Sequence, residues 1–454
     1  MILPTLRLVV CYGLILPPTA ILSAYVPGID SLALAVGSCL IAAALIDAAF
    51  APLSSRGIEI KLPPVVRMVK GRVGAVEIGV ENGRKAKAAI RVGLQTPPEI
   101  ASPLEYLSVP LKAEESGARL LWPCTPLSRG MFRIDACFLE TRSFLALWAF
   151  RKRVEGSCEV RVYPSLENER KGLAALFLNR GGLGIHARRQ QGKGKDFERL
   201  REYVAGDGYE DIHWKATAKR RHPITKVFQI ERTQEVYVAL DSSRLGARSP
   251  GAGGEETHEG AAGSDDRTNL ERFIAAALVL GLAARRQGDL FGVAAFSDGV
   301  DAFLRAGGGK AHYNACREQI FNLQPRMVNP DYEGLFTFIR EKVRRRALIV
   351  ILTGLDDPML AENFAESVRL ICRQHLVMVS SVRPPGARPV FSDPAIETTE
   401  EIYEALTGHA SWYDLERLKN GLKGRGVEFA LADKEGLCVD LVSRYMSIKQ
   451  RQIL

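Results

Sequence analysis

The chain begins with two long apolar stretches, and only shorter apolar runs follow them. Residues 6–26 and 32–50 are almost free of charge, and each stretch holds about 20 residues, enough for a helix to cross a bilayer core. The link at 27–31 contains a proline and a glycine but no lysine or arginine. The pattern predicts two transmembrane helices joined as a hairpin within residues 1–55.

The apolar runs become short and closely spaced after the second stretch. Strands are predicted at 73–80, 88–94, 131–139 and 159–163, with turn residues between them. Short strands at such intervals are typical of an antiparallel sandwich, and we expect an immunoglobulin-like one over 56–166.

Strand and helix patterns alternate in the last part of the chain. The predicted strands are 236–240, 290–296, 300–304, 347–352, 376–382 and 427–430, and the predicted helices between them include 270–286, 311–322 and 332–345. Such alternation predicts a mainly parallel sheet covered by helices on both faces, an α/β domain over 236–454. Residues 167–235 form a linking segment before it.

An insert interrupts this third domain just after its first strand. Residues 245–267 are rich in Gly, Ala, Ser, Glu and Asp and have few large apolar side chains, so we expect disorder there. A tolerated insertion explains the segment more simply than a mobile cover does.

Positive charge indicates the orientation of the hairpin. Arg7 stands near its start, and the basic residues Arg56, Lys61, Arg67 and Lys70 follow its end, whereas the turn has none. Both ends should therefore face the cytoplasm, with the protein in the inner (cytoplasmic) membrane. A cleaved signal peptide over 1–26 is the alternative, and the second apolar stretch directly after it argues against that interpretation.

Composition narrows the function classes. The net charge of +9 permits attraction to nucleic acid or to an anionic membrane. The basic run between 180 and 226 lacks a recognisable nucleic-acid module, so we expect no nucleic-acid partner. Its positive charges should face either anionic lipid headgroups or solvent. None of the eight cysteines forms a CxxC pair, which argues against zinc-finger and thioredoxin sites and favours free thiols.

The most unusual segment is 197–227, where acids, bases and one tryptophan stand in a fixed order. Its candidate structural or interaction residues are Glu198, Arg201, Glu202, Tyr203, Gly206, Asp207, Asp211, His213, Trp214 and Lys215. We expect Arg201, Glu202, Asp207, Asp211 and Lys215 to form an ion-pair network around a half-buried Trp214. His213 beside Asp211 suggests acid–base chemistry, but a structural hydrogen bond is the simpler interpretation.

This segment resembles the signature of the domain of unknown function 58 family. The matching runs are LREYVAGD at 200–207 and IHWKATAK at 212–219, and later stretches such as RRRALIVILTGLDDP at 344–358 agree with longer members. With the alternating pattern, the resemblance implies a von Willebrand factor A-like domain. Such domains often hold a divalent metal in a first loop of the form Asp-x-Ser-x-Ser.

The metal site implied by that resemblance is incomplete. Asp241 and Ser243 fit its first two positions, but Leu245 stands at the second serine and Gly354 at the later aspartate. Asp356 or Asp357 could substitute only from a neighbouring position. Magnesium prefers several oxygen ligands, so we expect no cofactor, with Asp241 ordering the loop instead.

The resemblance also suggests a function. Similar members are commonly encoded beside MoxR-type AAA+ ATPases, so it implies a membrane-anchored adaptor that docks protein partners and works with such an ATPase in complex assembly or envelope processes. We expect no enzymatic activity, because no spacing defines a reaction. The alternative is an enzyme of unknown reaction that uses the charged signature 198–219.

Overall fold

The computed structural model describes ten parts of the chain. These are residues 1–25, 30–83, 88–111, 117–167, 191–204, 208–229, 233–249, 267–390, 392 and 398–451. They form two compact units, Met1–Ser165 and Leu166–Leu454.

The first unit begins with a short strand and two apolar helices. Strand β1 is Ile2–Pro4, helix α1 is Leu6–Tyr25 and helix α2 is Asp30–Phe50, followed by a 3₁₀ turn at Ala51–Ser55. The stretch Leu34–Ser55 is long and apolar enough to span a membrane, whereas the apolar part of α1, Leu6–Thr19, is shorter. Only 17% of the longer stretch is buried, so its apolar side chains need an apolar environment from elsewhere.

Two predominantly antiparallel sheets make up the rest of the first unit. The strands are β2 (Ile58–Lys61), β3 (Val65–Val69), β4 (Gly74–Asn82), β5 (Ala88–Leu94), β6 (Ile100–Ala101), β7 (Leu107–Leu111), β8 (Gly117–Pro126), β9 (Gly130–Arg142) and β10 (Trp148–Tyr163). One sheet has the order β1-β10-β9-β5-β7, with β3 parallel to β10, and the other has β2-β4-β8-β6. The predicted strand at 88–94 is observed with those bounds.

The two sheets share one hydrophobic core. Ile78 and Trp122 come from the smaller sheet, and Ile90, Leu139 and Val160 come from the larger one, all of them essentially inaccessible to solvent. Alternate residues along β4 are buried, as expected for strands with one face in the core. The predicted antiparallel organisation of this region is therefore observed.

Among the described residues of the second unit is a two-stranded ribbon that the sequence did not predict. Strand β11 (Gln191–Glu202) pairs antiparallel with β12 (Ile224–Gln229). A 3₁₀ turn at Tyr209–Asp211 and helix α3 (Trp214–Arg220) lie between them in the chain. The ribbon and its connection contain the signature segment.

A six-stranded mixed sheet forms the centre of the second unit. Its strands are β13 (Glu235–Asp241), β14 (Leu290–Phe296), β15 (Val300–Gly307), β16 (Leu348–Leu352), β17 (Leu376–Val382) and β18 (Val427–Ala432). The order is β15-β14-β13-β16-β17-β18, and only the edge strand β15 runs antiparallel to its neighbour. The sheet is thus mainly parallel, and β15 is the hairpin partner predicted for β14.

Helices cover both faces of this sheet. They are α4 (Arg244–Ala247), α5 (Asn269–Arg286), α6 (Gly309–Ile320), α7 (Tyr332–Lys342), α8 (Pro358–Ser367), α9 (Arg369–Cys372), α10 (Thr399–Lys423) and α11 (Leu437–Arg451). Val236 and Val238 of β13 pack in a core with α5, α6 and α11, whereas Tyr237 and Ala239 pack in a second core with α7, α8 and α10. Strand β13 is therefore buried on both faces, which explains its unbroken apolar sequence.

Candidate functional site

Several buried polar side chains of the second unit lie together at the carboxyl edge of its sheet. Strand β13 lies between β14 and β16 in the sheet. The chain first adds strands on the β14 side and then continues on the β16 side. Such a reversal of strand order opens a crevice beyond the strand ends, where α/β proteins commonly bind ligands. We call the loops at 241–248, 297–301, 326–331 and 353–359 the carboxyl-edge site.

Asp241 anchors the centre of this site and is fully buried. Its carboxylate accepts hydrogen bonds from the Thr353 hydroxyl at 2.5 Å and from the Ser243 backbone N–H at 2.9 Å. Because Thr353 donates to Asp241, the Tyr332 hydroxyl, 3.0 Å away, donates to Thr353. Burial raises the pKa of Asp241, and the hydrogen bonds from Ser243 and Thr353 oppose that rise. Burial, and next the charge of Asp241, raises the pKa of Tyr332 well above its ordinary value.

A second cluster surrounds the guanidinium of Arg326. Its Nη1 lies 2.7 Å from Asp298 Oδ1, 3.0 Å from Asp301 Oδ1 and 3.0 Å from Ser297 Oγ. Asp301 also accepts from the hydroxyls of Ser242 at 2.9 Å and Ser297 at 2.7 Å. Arg326 therefore pairs with two carboxylates at the edge, and its single positive charge offsets part of theirs.

Two further arginines tie the remaining loops together. Arg244 donates to Asn329 Oδ1 at 2.5 Å and to Asp357 Oδ2 at 3.1 Å, and Arg248 pairs with Asp356. Desolvation acts to raise the pKa of Asp357, but hydrogen bonds from the Leu360 N–H and from Arg244 outweigh it, so that the pKa lies below its ordinary value. The loops after β13, before α7 and after β16 are thus held in one arrangement by ion pairs.

Three polar residues at this edge also begin helices. The side chains of Ser243, Asp331 and Asp357 accept backbone N–H groups at the N-termini of α4, α7 and α8. Each satisfies a donor that the helix leaves free. Their side-chain oxygens therefore already serve the fold.

Two methionines lie exposed on these loops. Met327 is 79% exposed and Met359 is 82% exposed. Met327 precedes Val328, whose carbonyl accepts the Arg244 N–H at 3.0 Å, and Met359 follows the Asp357 cap that Arg244 also contacts. Arg244 thus connects both methionine-bearing loops, and two adaptable apolar side chains are presented beside charged groups.

The oxygen side chains of the metal site implied by the sequence are engaged within the protein. Both carboxylate oxygens of Asp241 accept protein donors, and the Ser243 hydroxyl accepts the Leu245 N–H at 3.3 Å. Leu245 is fully buried, and Asp356 and Asp357 are paired with arginines. The ordering role predicted for Asp241 agrees with these contacts.

The insert predicted at 245–267 begins later than expected. Residues 245–247 belong to α4, and Leu245 is buried, so this first part is wrongly assigned as disordered; residues 250–266 lie outside the described residues. Gly246 makes the close packing possible, because a Cβ at this position would lie 2.7 Å from the Asp241 carbonyl oxygen. The composition of the segment did not reveal this short helix, which packs against the start of α5 at Leu270.

The signature segment forms the β11–β12 ribbon and the helix between its strands. Arg201 and Glu202 lie on β11, where Glu202 pairs with His222 across 3.4 Å. His213 caps α3, because its Nδ1 accepts the Ala216 N–H at 3.0 Å. A nitrogen occupied by a backbone donor favours the structural interpretation of His213.

The expected burial of Trp214 is wrong. Trp214 begins α3 and is 69% exposed, and Lys215 next to it is also exposed. Ile212, which precedes the helix, is buried and bridges to Thr225 of β12. Ile224 on that strand is buried too, whereas Trp214 at the start of the helix is largely in solvent. The half-buried tryptophan at the centre of the expected ion-pair network is therefore contradicted, whereas Asp207 of that network lies outside the described residues.

The other signature residues have separate positions. Tyr203 stacks on Tyr209 with ring centroids 6.2 Å apart, and Asp211 ends the 3₁₀ turn. Glu198 lies on β11, but its side chain is outside the described part of the structure, as are Gly206 and Asp207 entirely.

Sequence reasoning missed three important residues of the carboxyl-edge site. Thr353, Arg326 and Asp301 make most of its side-chain bonds. A usable signal existed for Thr353, since it directly follows the predicted strand 347–352, which the structure places beside β13. Arg326 stands in a loop without a recognisable pattern, and Asp301 is the second residue of β15, where no motif marks it.

Comparison with known proteins identifies one family. Residues 199–388 match the family model described as "Protein of unknown function DUF58". No similar sequence was found among curated proteins. The matched range contains most of the signature segment and the whole carboxyl-edge site.

Similarity to solved structures is low. Proximal thread matrix protein 1 from the mussel byssus is 11% identical, over 46% of this chain and 45% of that one, with a TM-score of 0.24. An uncharacterized membrane spanning protein from Vibrio fischeri is 17% identical, over 47% and 96%, with a TM-score of 0.16. The chain spans less than half the length of the first of these, and TM-scores this low carry no structural argument.

Proposed function

We propose that this chain is a membrane-anchored adaptor. Through its residues 199–388 it belongs to the DUF58 family of proteins of unknown function. Its docking surface is the carboxyl-edge site. The observation that carries the proposal is the pair of exposed methionines, Met327 and Met359, on loops that Arg244 holds together. The expected partner is a protein, in particular a MoxR-type AAA+ ATPase.

The state of the polar groups favours docking over catalysis. Asp241 and Asp301 are each engaged by two or more donors of the protein itself. A catalytic group must be able to reach a substrate atom, whereas a docking surface needs a fixed shape. Exposed methionines beside ion pairs offer apolar contact area with a charged rim.

The fold supports a von Willebrand factor A-like interpretation of the second unit. The antiparallel edge strand β15, the central first strand and the Asp241-Ser242-Ser243 run after it all agree with such a domain. In this chain Arg244, Arg248 and Arg326 pair with other carboxylates of this edge. For the first unit, two sheets over a common core support the immunoglobulin-like assignment.

The contacts of the two apolar helices support a transmembrane hairpin. The Tyr12 hydroxyl donates to the Leu40 carbonyl at 2.7 Å, a polar contact of the kind that joins helices in membranes. Strand β1 pairs with β10, and Ala44 near the end of α2 accepts the indole N–H of Trp148 at 2.9 Å. Both ends of the hairpin therefore attach to the same sheet, and basic residues after α2 favour the cytoplasmic side of the inner membrane for that sheet.

The alternative, an enzyme that uses the signature 198–219, has less support. His213 is committed to a helix cap and Trp214 is exposed. We propose that the signature acts as an interaction surface or structural element instead.

A pull-down from detergent-solubilised membranes tests the docking surface. The full chain should recover an AAA+ ATPase in a manner that depends on ATP. The double variant Met327→Ser/Met359→Ser should recover at least about tenfold less, because two exposed anchors at a docking centre contribute about 2 kcal/mol or more together. The matched control is Met131→Ser, at a methionine of the first unit that is 50% exposed.

Two results would contradict the proposal. Equal recovery of the ATPase by the double variant and the control would show that the two methionines are not part of the interface. Labelling of cysteines placed beyond Arg56 by an impermeant reagent in intact cells would show that the orientation is wrong.

A further inference from the structure

A cavity of about 680 Å³ lies in the first unit where α2 meets the loop after β9. Its volume is in the range of about 300–1,000 Å³ that is usual for small-molecule sites. The residues that matter for its chemistry are Ile46, Phe50, Arg56, Arg142, Phe144 and Leu145. None of them belongs to the carboxyl-edge site.

The wall of this cavity is fixed by a buried carboxylate. Asp47, only 3% exposed, accepts the Ser143 hydroxyl at 2.5 Å and the backbone N–H groups of Leu145 at 3.0 Å and Leu147 at 3.2 Å. We call this arrangement the Asp47 latch. It joins the end of the apolar helix to the loop at 143–147, so that the cavity is a built feature and Asp47 is already satisfied.

Uncovered apolar side chains line one part of the cavity. Phe144 is 94% exposed, Phe50 is 58% exposed and Leu145 is 50% exposed. They lie at the end of Leu34–Ser55, the helix long enough to span a bilayer. At that position they stand at the boundary of the hydrocarbon, where aromatic side chains are commonly found.

Two arginines make another part of the cavity positively charged. Arg56 and Arg142 are exposed and line the same cavity. Neither has a carboxylate partner among the residues that the structure describes. Asp47 is the one acidic residue among the described lining residues, and both of its carboxylate oxygens accept the hydrogen bonds of the latch. The cavity thus combines unpaired positive charge with apolar walls.

We propose that this cavity binds one anionic phospholipid of the membrane. The lipid phosphate pairs with Arg56 and Arg142, and the start of an acyl chain lies against Phe50, Phe144 and Leu145. The proposal rests on the membrane anchoring proposed above. A free phosphate compound would use the arginines but leave the apolar wall uncovered, so the membrane lipid is the occupant that fits both parts.

Native mass spectrometry of the full chain in detergent micelles tests this site. Dioleoyl phosphatidylglycerol should be retained in preference to dioleoyl phosphatidylcholine. Each of Arg56→Gln and Arg142→Gln should lower that preference about fivefold, equivalent to ~1 kcal/mol for a basic residue near an anionic surface. Phe144→Ser should lower retention of both lipids. The matched control, Arg153→Gln, changes an exposed arginine of β10 outside the cavity and should have no effect.

The outcomes separate this proposal from the proposed function. If alkaline extraction releases the protein from membranes, the anchoring itself is wrong. If the protein stays in the membrane but the arginine variants keep the wild-type lipid preference, the lipid site is wrong. Binding of glycerol 3-phosphate as tight as that of phosphatidylglycerol would also overturn it, because such a site would not need the acyl chain.

Discussion

Removal of the Asp47 latch should loosen the attachment of α2 to the sheets of the first unit. Asp47→Ala takes the acceptor away from the Ser143 hydroxyl and from two backbone N–H groups. Ser143 is 5% exposed, so its stranded hydroxyl costs about 1–3 kcal/mol, whereas the two amides lie near solvent and contribute toward the low end of that range. The sum is about 3 kcal/mol of local stability.

Hydrogen–deuterium exchange of the full chain in detergent measures this loss directly. The amides of Leu145 and Leu147 should exchange about 100-fold faster in Asp47→Ala, since 1.4 kcal/mol corresponds to a factor of ten. Asp47→Asn keeps one acceptor oxygen and should give a smaller increase.

Asp135→Ala is the matched control for this experiment. Asp135 is 64% exposed and pairs with Arg133 at the surface, where a salt bridge contributes about 0–1 kcal/mol. If the peptide 143–148 exchanges at the wild-type rate in Asp47→Ala, the latch does not hold the helix, and the rigid cavity argued from it is also refuted.

Four further predictions concern the second unit. Gly246→Ala should lower the unfolding free energy by about 1–3 kcal/mol, because its Cβ meets the Asp241 carbonyl oxygen at 2.7 Å; thermal melting checks this, with Gly421→Ala, where nothing lies within 4 Å, as the control. Calorimetry with Mg²⁺ should find no site tighter than roughly millimolar. A micromolar site abolished by Asp241→Ala would show that Asp241 binds the ion despite its hydrogen bonds within the protein. Trp214→Ala should change stability by less than about 1 kcal/mol, because the side chain is 69% exposed, and a large loss in chemical denaturation would show a buried role. Burial lowers the pKa of His375, so the unfolded chain takes up its proton first as the pH falls and stability should decline below about pH 6.5; the melting temperature of His375→Gln should fall less between pH 7.5 and 5.5, and an equal fall would exclude this histidine as the cause.

The sequence by itself determined the elements whose signal is local. The strands Ala88–Leu94, Leu290–Phe296 and Leu376–Val382 were predicted with their observed bounds. Each run has seven residues, a length usual for a strand and short for a helix, and neighbouring strands supply the hydrogen-bond partners that its buried backbone needs. The mainly parallel character of the second sheet followed from the alternation of strands and helices, because a parallel crossover requires a helix-length connection.

Tertiary structure decided which distant side chains meet. Thr353 reaches Asp241 across 112 residues of chain, and Ser143 reaches Asp47 across 96. Such contacts depend on strand register and on the path of each loop, and neither leaves a periodic trace in the sequence. The same reason explains Trp214. A large apolar residue among charges indicated a buried anchor, but Trp214 at the start of α3 lies in solvent. The direction of a helix is set only by the packed fold.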